Sequence, residues 1–258
     1  ELVRDATPGI VAEPGPRYFG FVIGGSSEAA MGADWLTSAW DQNCGLYATS
    51  PALAVVEETC ARWLLDLLGL PTGSSVGFVT GCQMAHVTCL AAARHELLRR
   101  VGWDVEQEGL QGSPRLHVVV GDEVHVTVPR ALRFLGLGAG RLLRVPADGQ
   151  GRLLPAELGK VLDGLEGPVL VCAQVGNVNT GAMDPMEAIA DLCEARKAWL
   201  HVDGAFGLWA AAVPGLREAL RGIDRADSWA TDAHKWLNVP YDSGLAFVRN
   251  PAAHRAAI

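Results

Sequence analysis

The sequence predicts an α/β protein: a three-layer sandwich in which a seven-stranded, mostly parallel sheet lies between two layers of helices. Short, continuously apolar runs alternate along the chain with segments of helical spacing, which is the pattern of strands buried on both faces. The chain has 258 residues, 49% of them hydrophobic and 19% charged, which is enough apolar material for a large core.

The predicted elements begin after a long N-terminal segment. Residues 1–50 are rich in Gly, Pro and Ser and lack a sustained period, so we expect an irregular arm that docks against another subunit. Ser50 and Pro51 begin a helix, since serine is a good N-cap and proline suits the first helical position. The predicted strands are 76–79, 116–120, 142–145, 169–174, 199–202, 228–231 and 245–248. The predicted helices are 51–68, 82–100, 124–137, 155–165, one that begins at 184–185, and 214–222, while 102–114 is expected to be a loop.

Charge and composition exclude several classes of function. The net charge of -8 argues against binding of nucleic acid, for which basic patches supply most of the affinity. No run of about eighteen apolar residues predicts a membrane span, and residues 1–5 lack the basic start of a signal peptide. The six cysteines form no CxxC pair, so we expect free thiols and a cytoplasmic protein.

Lys235 is the lysine whose surroundings predict chemistry. The other two lysines, Lys160 and Lys197, lie in helical patterns and are expected to be surface charges. Lys235 follows a predicted strand and lies between His234 and Trp236. A lysine held among apolar groups loses solvation of its ammonium form, and its amine then becomes a nucleophile toward carbonyl compounds.

Other reactive residues also follow predicted strands, where ligands bind in open parallel sheets. They are the turn Thr80–Gln83, which opens a helix, then His125, Asp203, Asp232 and His234. The turn is an anion site in which helix N–H groups suit a phosphate, although it is not a Walker loop. An anion site, an imidazole, a carboxylate and a lysine together suit pyridoxal 5'-phosphate, whose pyridine nitrogen needs an acid and whose aldehyde needs an amine.

Several stretches resemble the group II pyridoxal-phosphate-dependent decarboxylases, the family of the aromatic amino acid, glutamate and histidine decarboxylases. They are GFVTG at 77–81, LAAAR at 90–94, HVDGAFG at 201–207 and above all DAHKWLNVPYD at 232–242. The resemblance extends from residue 14 to residue 258 and implies the large domain of the type I fold of pyridoxal-phosphate enzymes. It also implies a homodimer, an L-amino acid substrate, an arm on the substrate side at 1–50 and a cofactor-binding domain at 51–258. Relatives continue past the equivalent of residue 258, so we expect a small C-terminal domain to be missing here.

The resemblance assigns a role to each matching position. Lys235 matches the lysine that carries the cofactor as an internal aldimine, and Asp203 matches the partner of the pyridine nitrogen. His125 and Ala205 match the residues on the two faces of the ring, so Lys235, His125 and Asp203 are the expected catalytic residues. The remaining cofactor positions are Gly81, Cys82, Gln83, Asn177, Asp232 and His234, and the substrate-pocket positions are Phe21, Val22 and Ile23.

Some positions depart from the family pattern. Gln83 stands where Ser or Thr is common, His86 replaces a frequent Asn, and Asp232 stands where some relatives carry Asn. A carboxylate at position 232 would repel a phosphate unless it is paired or turned away. Phe21–Ile23 lacks the proline associated with aromatic-specific enzymes, so the substrate class does not carry over.

Three alternatives to decarboxylation remain open from the sequence. An aminotransferase or carbon–carbon lyase of the same fold would use the same cofactor residues. A metal hydrolase would use the pairs His201/Asp203 and Asp232/His234 as ligands, although no metal is expected because this leaves Lys235 unexplained. A non-catalytic, truncated cofactor-binding domain is the third alternative.

Overall fold

The computed structural model describes residues 1–13, 15 and 17–258, which form a seven-stranded sheet covered by helices on both faces. Residue 14, where the family resemblance begins, lies outside the described residues. The strands are β1 (Ser75–Val79), β2 (His117–Gly121), β3 (Leu143–Val145), β4 (Val169–Gln174), β5 (Trp199–Asp203), β6 (Ser228–Asp232) and β7 (Gly244–Val248). Their order across the sheet is β1-β7-β6-β5-β4-β2-β3, and only β7, among the described strands, runs antiparallel to its neighbours. The predicted fold class is confirmed.

The described helices occupy both sides of this sheet. The α-helices are α1 (Leu2–Ala6), α2 (Glu28–Trp40), α3 (Pro51–Leu68), α4 (Cys82–Arg99), α5 (Val105–Glu108), α6 (Thr127–Phe134), α7 (Pro155–Asp163), α8 (Met186–Arg196) and α9 (Pro251–Ala257). Short 3-10 helices span Thr7–Gly9, Gly20–Val22, Tyr47–Thr49, Gly207–Ala212, Pro214–Leu220 and Ile223–Arg225. None of the described helices combines the length and the hydropathy that a membrane crossing requires.

Strand β4 shows why the central runs are continuously apolar. Val169, Val171 and Ala173 pack in one core with helices α3, α7 and α8, whereas Leu170 and Cys172 pack in the other core with α4, α6 and α9. Successive side chains of a strand point to opposite faces, so a sheet covered on both sides needs an apolar residue at every position.

The N-terminal segment differs from the predicted irregular arm, because it contains the helices α1 and α2. Helix α2 begins where the Ser27 hydroxyl accepts a hydrogen bond from the Ala30 N–H, at 3.3 Å, and it ends at Asp41 in the left-handed region. Glu28, in its first turn, complements the helix dipole. The described residues of α2 are all outside the core, so local capping rather than burial marks this helix.

Three other boundaries also differ from the predictions. Residues 102–114 contain α5, whose N-cap Asp104 accepts bonds from the N–H groups of Glu106 and Gln107. The helix predicted at 124–137 is confined to α6, and the segment predicted at 214–222 is a 3-10 helix.

The sheet brings the chemical residues to one edge. Because β7 runs antiparallel to both β6 and β1, strand β1 points in the same direction as the parallel strands. The turn that follows β1 therefore lies beside the carboxyl ends of β5 and β6, at the edge where ligands bind in this class of sheet.

Candidate active site

Lys235 lies in the loop after β6 and pairs with the carboxylate at the end of that strand. Its Nζ is 3.2 Å from Asp232 Oδ2, and its side chain is 19% exposed. The ring of Phe206 lies 5.9 Å from the same nitrogen. Lys235 is therefore partly buried, as expected, but it has an ionic partner in Asp232 as well as the apolar neighbour Phe206.

The predicted anion site at the start of α4 holds a carboxylate of the chain itself. The N–H of Cys82 donates to Asp232 Oδ1 at 2.6 Å. An anion is stabilised at a helix N-terminus by free N–H groups and by the helix dipole. Both oxygens of Asp232 are thus paired. Pairing of this kind is expected to reduce the repulsion between a carboxylate at position 232 and a phosphate.

His234 completes the group around Asp232. Its Nδ1 accepts a hydrogen bond from the Ser243 N–H at 3.0 Å, which leaves the ring proton on Nε2, 3.5 Å from Asp232 Oδ1. Burial is the largest influence on the pKa of His234 and lowers it; the charge of Asp232 opposes this shift, and the charge of Lys235 adds to it. A neutral imidazole that donates from Nε2 is expected here.

His125 and Gln83 share Thr127 as a partner. His125 Nδ1 lies 2.8 Å from Thr127 Oγ1, and Gln83 Nε2 donates to the Thr127 carbonyl at 3.2 Å. Burial lowers the pKa of His125, and the charge of Lys235 adds to this against the opposing charge of Asp203. The amide donor of Gln83, predicted to face a phosphate, is thus engaged, and its Oε1 is buried without a hydrogen-bond partner among the described residues.

Asp203 ends β5 and is buried with its charge compensated. Its Oδ1 accepts from the Ala205 N–H at 3.1 Å, and its Oδ2 lies 3.6 Å from His86 Nε2. Burial by itself raises the pKa of Asp203, but its interactions with His86, the Ala205 N–H and His125 lower it by more. The pKa of Asp203 therefore lies well below its ordinary value, and the side chain is a carboxylate.

A cavity of about 480 Å³ brings most of the predicted residues together. Its lining contains the predicted residues Phe21, Val22, Ile23, Gly81, Cys82, Gln83, His125, Ala205, Asp232, His234 and Lys235. Among the residues that the structure describes, two predicted ones are placed elsewhere. Asp203 lines a different, small cavity of about 10 Å³. Asn177 is buried, and its Oδ1 accepts from the N–H groups of Asn179 and Thr180 in its own turn.

The segment 20–27 reaches the cavity because it is fastened to the lysine loop. The N–H of Gly24 donates to the His234 carbonyl at 3.1 Å, and the N–H of Gly25 donates to Asn238 Oδ1 at 3.0 Å. A Cβ at Gly24 would collide with the carbonyl of Lys235, so only glycine permits this approach. The attachment places Phe21, whose side chain is 93% exposed, at the rim of the cavity.

Some residues that line the cavity were not predicted from the sequence. Thr127 and Arg130 come from α6 and line the cavity with His125, but a Thr and an Arg on an amphipathic helix carry no distinctive signal. Tyr241 lies within the recognised stretch, and its ring centroid is 4.1 Å from that of His234. His86 departs from the family pattern, and its spacing of four residues from Cys82 on α4 places both side chains on one face of the helix.

The metal pairs considered from the sequence do not converge. The ring nitrogens of His201 lie 2.9 Å from Ser228 Oγ and 2.9 Å from His86 Nδ1, so both are engaged. Within the described ranges, a different set offers ligand atoms within 4.8 Å of one another: Cys82, His86 and Asp203.

Comparison with known proteins places this geometry in a family. The family model described as the pyridoxal-dependent decarboxylase conserved domain matches residues 3–257. The acidic amino acid decarboxylase GADL1 of Homo sapiens is 34% identical over 242 residues, which are 92% of this chain and 45% of that protein. The aromatic-L-amino-acid decarboxylase of Bacillus atrophaeus is 34% identical over 239 residues, which are 91% of this chain and 48% of that protein.

A solved structure agrees with these relatives. The structure of Oryza sativa TDC with PLP and tryptamine superposes with a TM-score of 0.81 and 31% identity, over 90% of this chain and 49% of that one. The chain therefore spans about half the length of the proteins it matches.

Proposed function

Because the chain belongs to the pyridoxal-dependent decarboxylase family, we propose that it binds pyridoxal 5'-phosphate through Lys235 and serves an enzyme that decarboxylates an L-amino acid. One observation carries the proposal: Lys235, an anion-binding helix start, His125 and Ala205 line the same cavity. The bound cofactor supplies a protonated ring that accepts the electron pair released when the carboxylate departs.

The residues of the cavity fit the groups of this cofactor. The Lys235 amine would hold its carbonyl carbon, and the first turn of α4 with His234 would hold its phosphate. His125 and Ala205, which line the cavity, would contact the two faces of the ring, as the family pattern implies. Asp203, already ionised, would keep the ring nitrogen protonated, and its hydrogen bond from the Ala205 N–H places it beside a residue that lines the main cavity.

Asp232 and the phosphate compete for the same helix terminus. Both are anions, and the Cys82 N–H is already bonded to Asp232. Gln83 and Met84, in the same first turn, also line the cavity, and N–H groups of a first turn have no partner within the helix. We assign the backbone N–H groups of Gln83 and Met84 as the hydrogen-bond donors to the phosphate.

The amino acid substrate would enter past Phe21, Val22 and Ile23, which line the cavity. We assign residues 1–50 to the substrate side and residues 51–258 to cofactor binding. The fastening of Gly24 and Gly25 to the lysine loop supports this division.

Product analysis on the whole protein tests the reaction. The full-length protein, loaded with the cofactor, is incubated with a panel of acidic and aromatic L-amino acids, with Lys235→Ala as the control. We expect the amine and carbon dioxide from the unsubstituted protein only. A keto acid product would identify an aminotransferase, and cofactor binding with no product from any amino acid would identify a non-catalytic domain.

We also propose a homodimer in the cytoplasm. Large apolar side chains stay exposed on the N-terminal helices, including Leu2 at 81%, Trp35 at 68% and Trp63 at 69%, and such surfaces favour association between copies. All six cysteines are described and unpaired, and four of them are buried. Sedimentation at micromolar concentration should give the dimer mass, and alkylation should find each of these six cysteines as a free thiol; a monomer or a disulfide between them would contradict the respective part.

A further inference from the structure

A line of buried polar side chains runs from the core of the sheet to Asp203. The Trp199 Nε1–H donates to Ser228 Oγ at 2.9 Å, and Ser228 Oγ lies 2.9 Å from His201 Nδ1. His201 Nε2 lies 2.9 Å from His86 Nδ1. His86 Nε2 then lies 3.6 Å from Asp203 Oδ2, and all of these residues except Asp203, at 5%, are at most 1% exposed.

The donors and acceptors available to these side chains determine the direction of the hydrogen bonds along the line. The Trp199 indole nitrogen can only donate, so Ser228 Oγ accepts from it. The single hydroxyl hydrogen of Ser228 has one available acceptor in the described part of the chain, which is His201 Nδ1. With Nδ1 accepting, the ring proton of His201 sits on Nε2 and points at His86 Nδ1. His86 then carries its proton on Nε2, toward Asp203.

The opposite direction leaves a buried donor unpaired. If His201 Nδ1 carried the proton and donated to Ser228, the Ser228 hydroxyl hydrogen would have no acceptor among the described residues. An unpaired buried polar group costs about 1–3 kcal/mol. A doubly protonated His201 is disfavoured as well, since burial lowers its pKa to about 3.

We propose that Ser228, His201 and His86 form a positioning relay that fixes His86 as an Nε2–H donor to Asp203. The relay orients the Asp203 carboxylate, since the His86 N–H faces Asp203 Oδ2 and the Ala205 N–H binds Oδ1. The His86 hydrogen is directed between two acceptors, because Cys82 Sγ lies 3.5 Å from the same nitrogen. His201 and Ser228 thus act on the cofactor site through His86, and neither of them lines the cavity.

The value of the relay to the site rests on the proposed function, in which Asp203 pairs with the cofactor ring nitrogen. The tautomers of His86 and His201 do not depend on the proposed function. They are a property of the protein without cofactor, so the two claims fail separately.

Nitrogen NMR of the cofactor-free protein, labelled with ¹⁵N in histidine, tests the direction. Long-range ¹H–¹⁵N spectra distinguish protonated from unprotonated ring nitrogens, and single substitutions assign His86 and His201. At pH 7.5 we expect the Nε2–H tautomer for both rings. A proton on Nδ1 of either ring would overturn the relay, whatever the enzyme does.

A pair of substitutions at His201 tests the consequence for the site. His201→Gln keeps an amide N–H that can face His86 Nδ1, whereas His201→Leu fills similar space without a donor. We expect the Leu variant to bind pyridoxal phosphate about tenfold more weakly, the effect of one lost buried hydrogen bond, and the Gln variant to stay near the unsubstituted protein. The ¹⁵N shift of labelled cofactor should show less ring protonation in the Leu variant only. Equal affinity and equal ring protonation in both variants would contradict the relay.

Discussion

Asp232 joins three parts of the site at the scale of single residues. Its two oxygens contact the first N–H of α4 and the amine of Lys235, and its backbone carbonyl accepts a hydrogen bond from the Trp209 indole at 2.8 Å. Asp232 therefore organises the site before any cofactor is present, in addition to its predicted place among the cofactor-binding residues.

Substitution of Asp232 separates its charge from its hydrogen bond. Asp232→Ala leaves the buried Cys82 N–H without an acceptor, so we expect a loss of about 1–3 kcal/mol in the free energy of unfolding of the cofactor-free protein. Asp232→Asn keeps an oxygen for that N–H and should lose less than half as much. Urea unfolding measures both, and equal losses would show that the hydrogen bond is not what Asp232 contributes.

The sequence predicts single residues well where a local pattern marks them. Lys235 stands out through its neighbours, and Asp203 through its place at a strand end. The partnership of His86 with His201 joins α4 to β5, so it depends on the packing of elements far apart in the chain. The same holds for the pairing of Asp232 with Cys82. The sequence indicated that Asp232 needs a partner near a phosphate, but it did not identify that partner.

At the scale of elements, the site depends on the close approach of β7 to the turn before α4. A Cβ built on Gly244, the first residue of β7, would collide with the backbone of Gly81. Glycine at this position lets the edge of the sheet and the helix N-terminus lie in contact, which sets where the anion site is relative to Asp232.

Gly244→Ala should therefore displace the turn and destabilise the protein. We expect a loss of about 1–3 kcal/mol, the usual cost of overpacking a buried contact. Gly73→Ala is the matched control, since its Cβ would meet nothing within 4 Å and its backbone has no left-handed strain. Urea midpoints that shift equally in the two variants would refute the packing argument.

Helices and strands could be predicted from the sequence where their burial determines which positions are apolar. The strands are apolar at every position because both faces are covered, and all seven were predicted within about two residues. Helix α2 was missed because the Gly, Pro and Ser content of the first 50 residues dominates its weak period. The short connection from β6 to β7 contains no crossover helix and is itself a signal for antiparallel pairing. The pairing of β1 with β7 joins distant segments and has no local signal.

At the scale of the whole molecule, buried titratable groups tie stability to pH. Burial lowers the pKa of His201 to about 3, so between its ordinary value of about 6.5 and 3 the unfolded chain binds a proton that the folded chain does not. Stability then falls as the pH falls. Asp184 opposes this, because burial raises its pKa to about 6 and the folded chain takes up the proton first.

Substitutions of His201 and of Asp184 are expected to change the pH dependence of the free energy of unfolding in opposite directions at acidic pH. We expect unfolding free energy to decrease below pH 6.5, by up to about 1.4 kcal/mol per pH unit for each proton. His201→Gln should make this decrease shallower, whereas Asp184→Asn should make it steeper between about pH 6 and 4. Urea unfolding from pH 7.5 to 4.5 measures the slopes, and unchanged slopes in both variants would contradict the assignment.

The central claim is that Lys235 is the residue that holds the cofactor. The protein is mixed with pyridoxal 5'-phosphate, reduced with borohydride and digested, and mass spectrometry locates the attached group. Lys160 and Lys197 serve as internal controls, and Lys235→Ala as the matched variant. We predict attachment at Lys235 alone and none in the variant; attachment at Lys160 or Lys197, or equal labelling of the variant, would contradict the account.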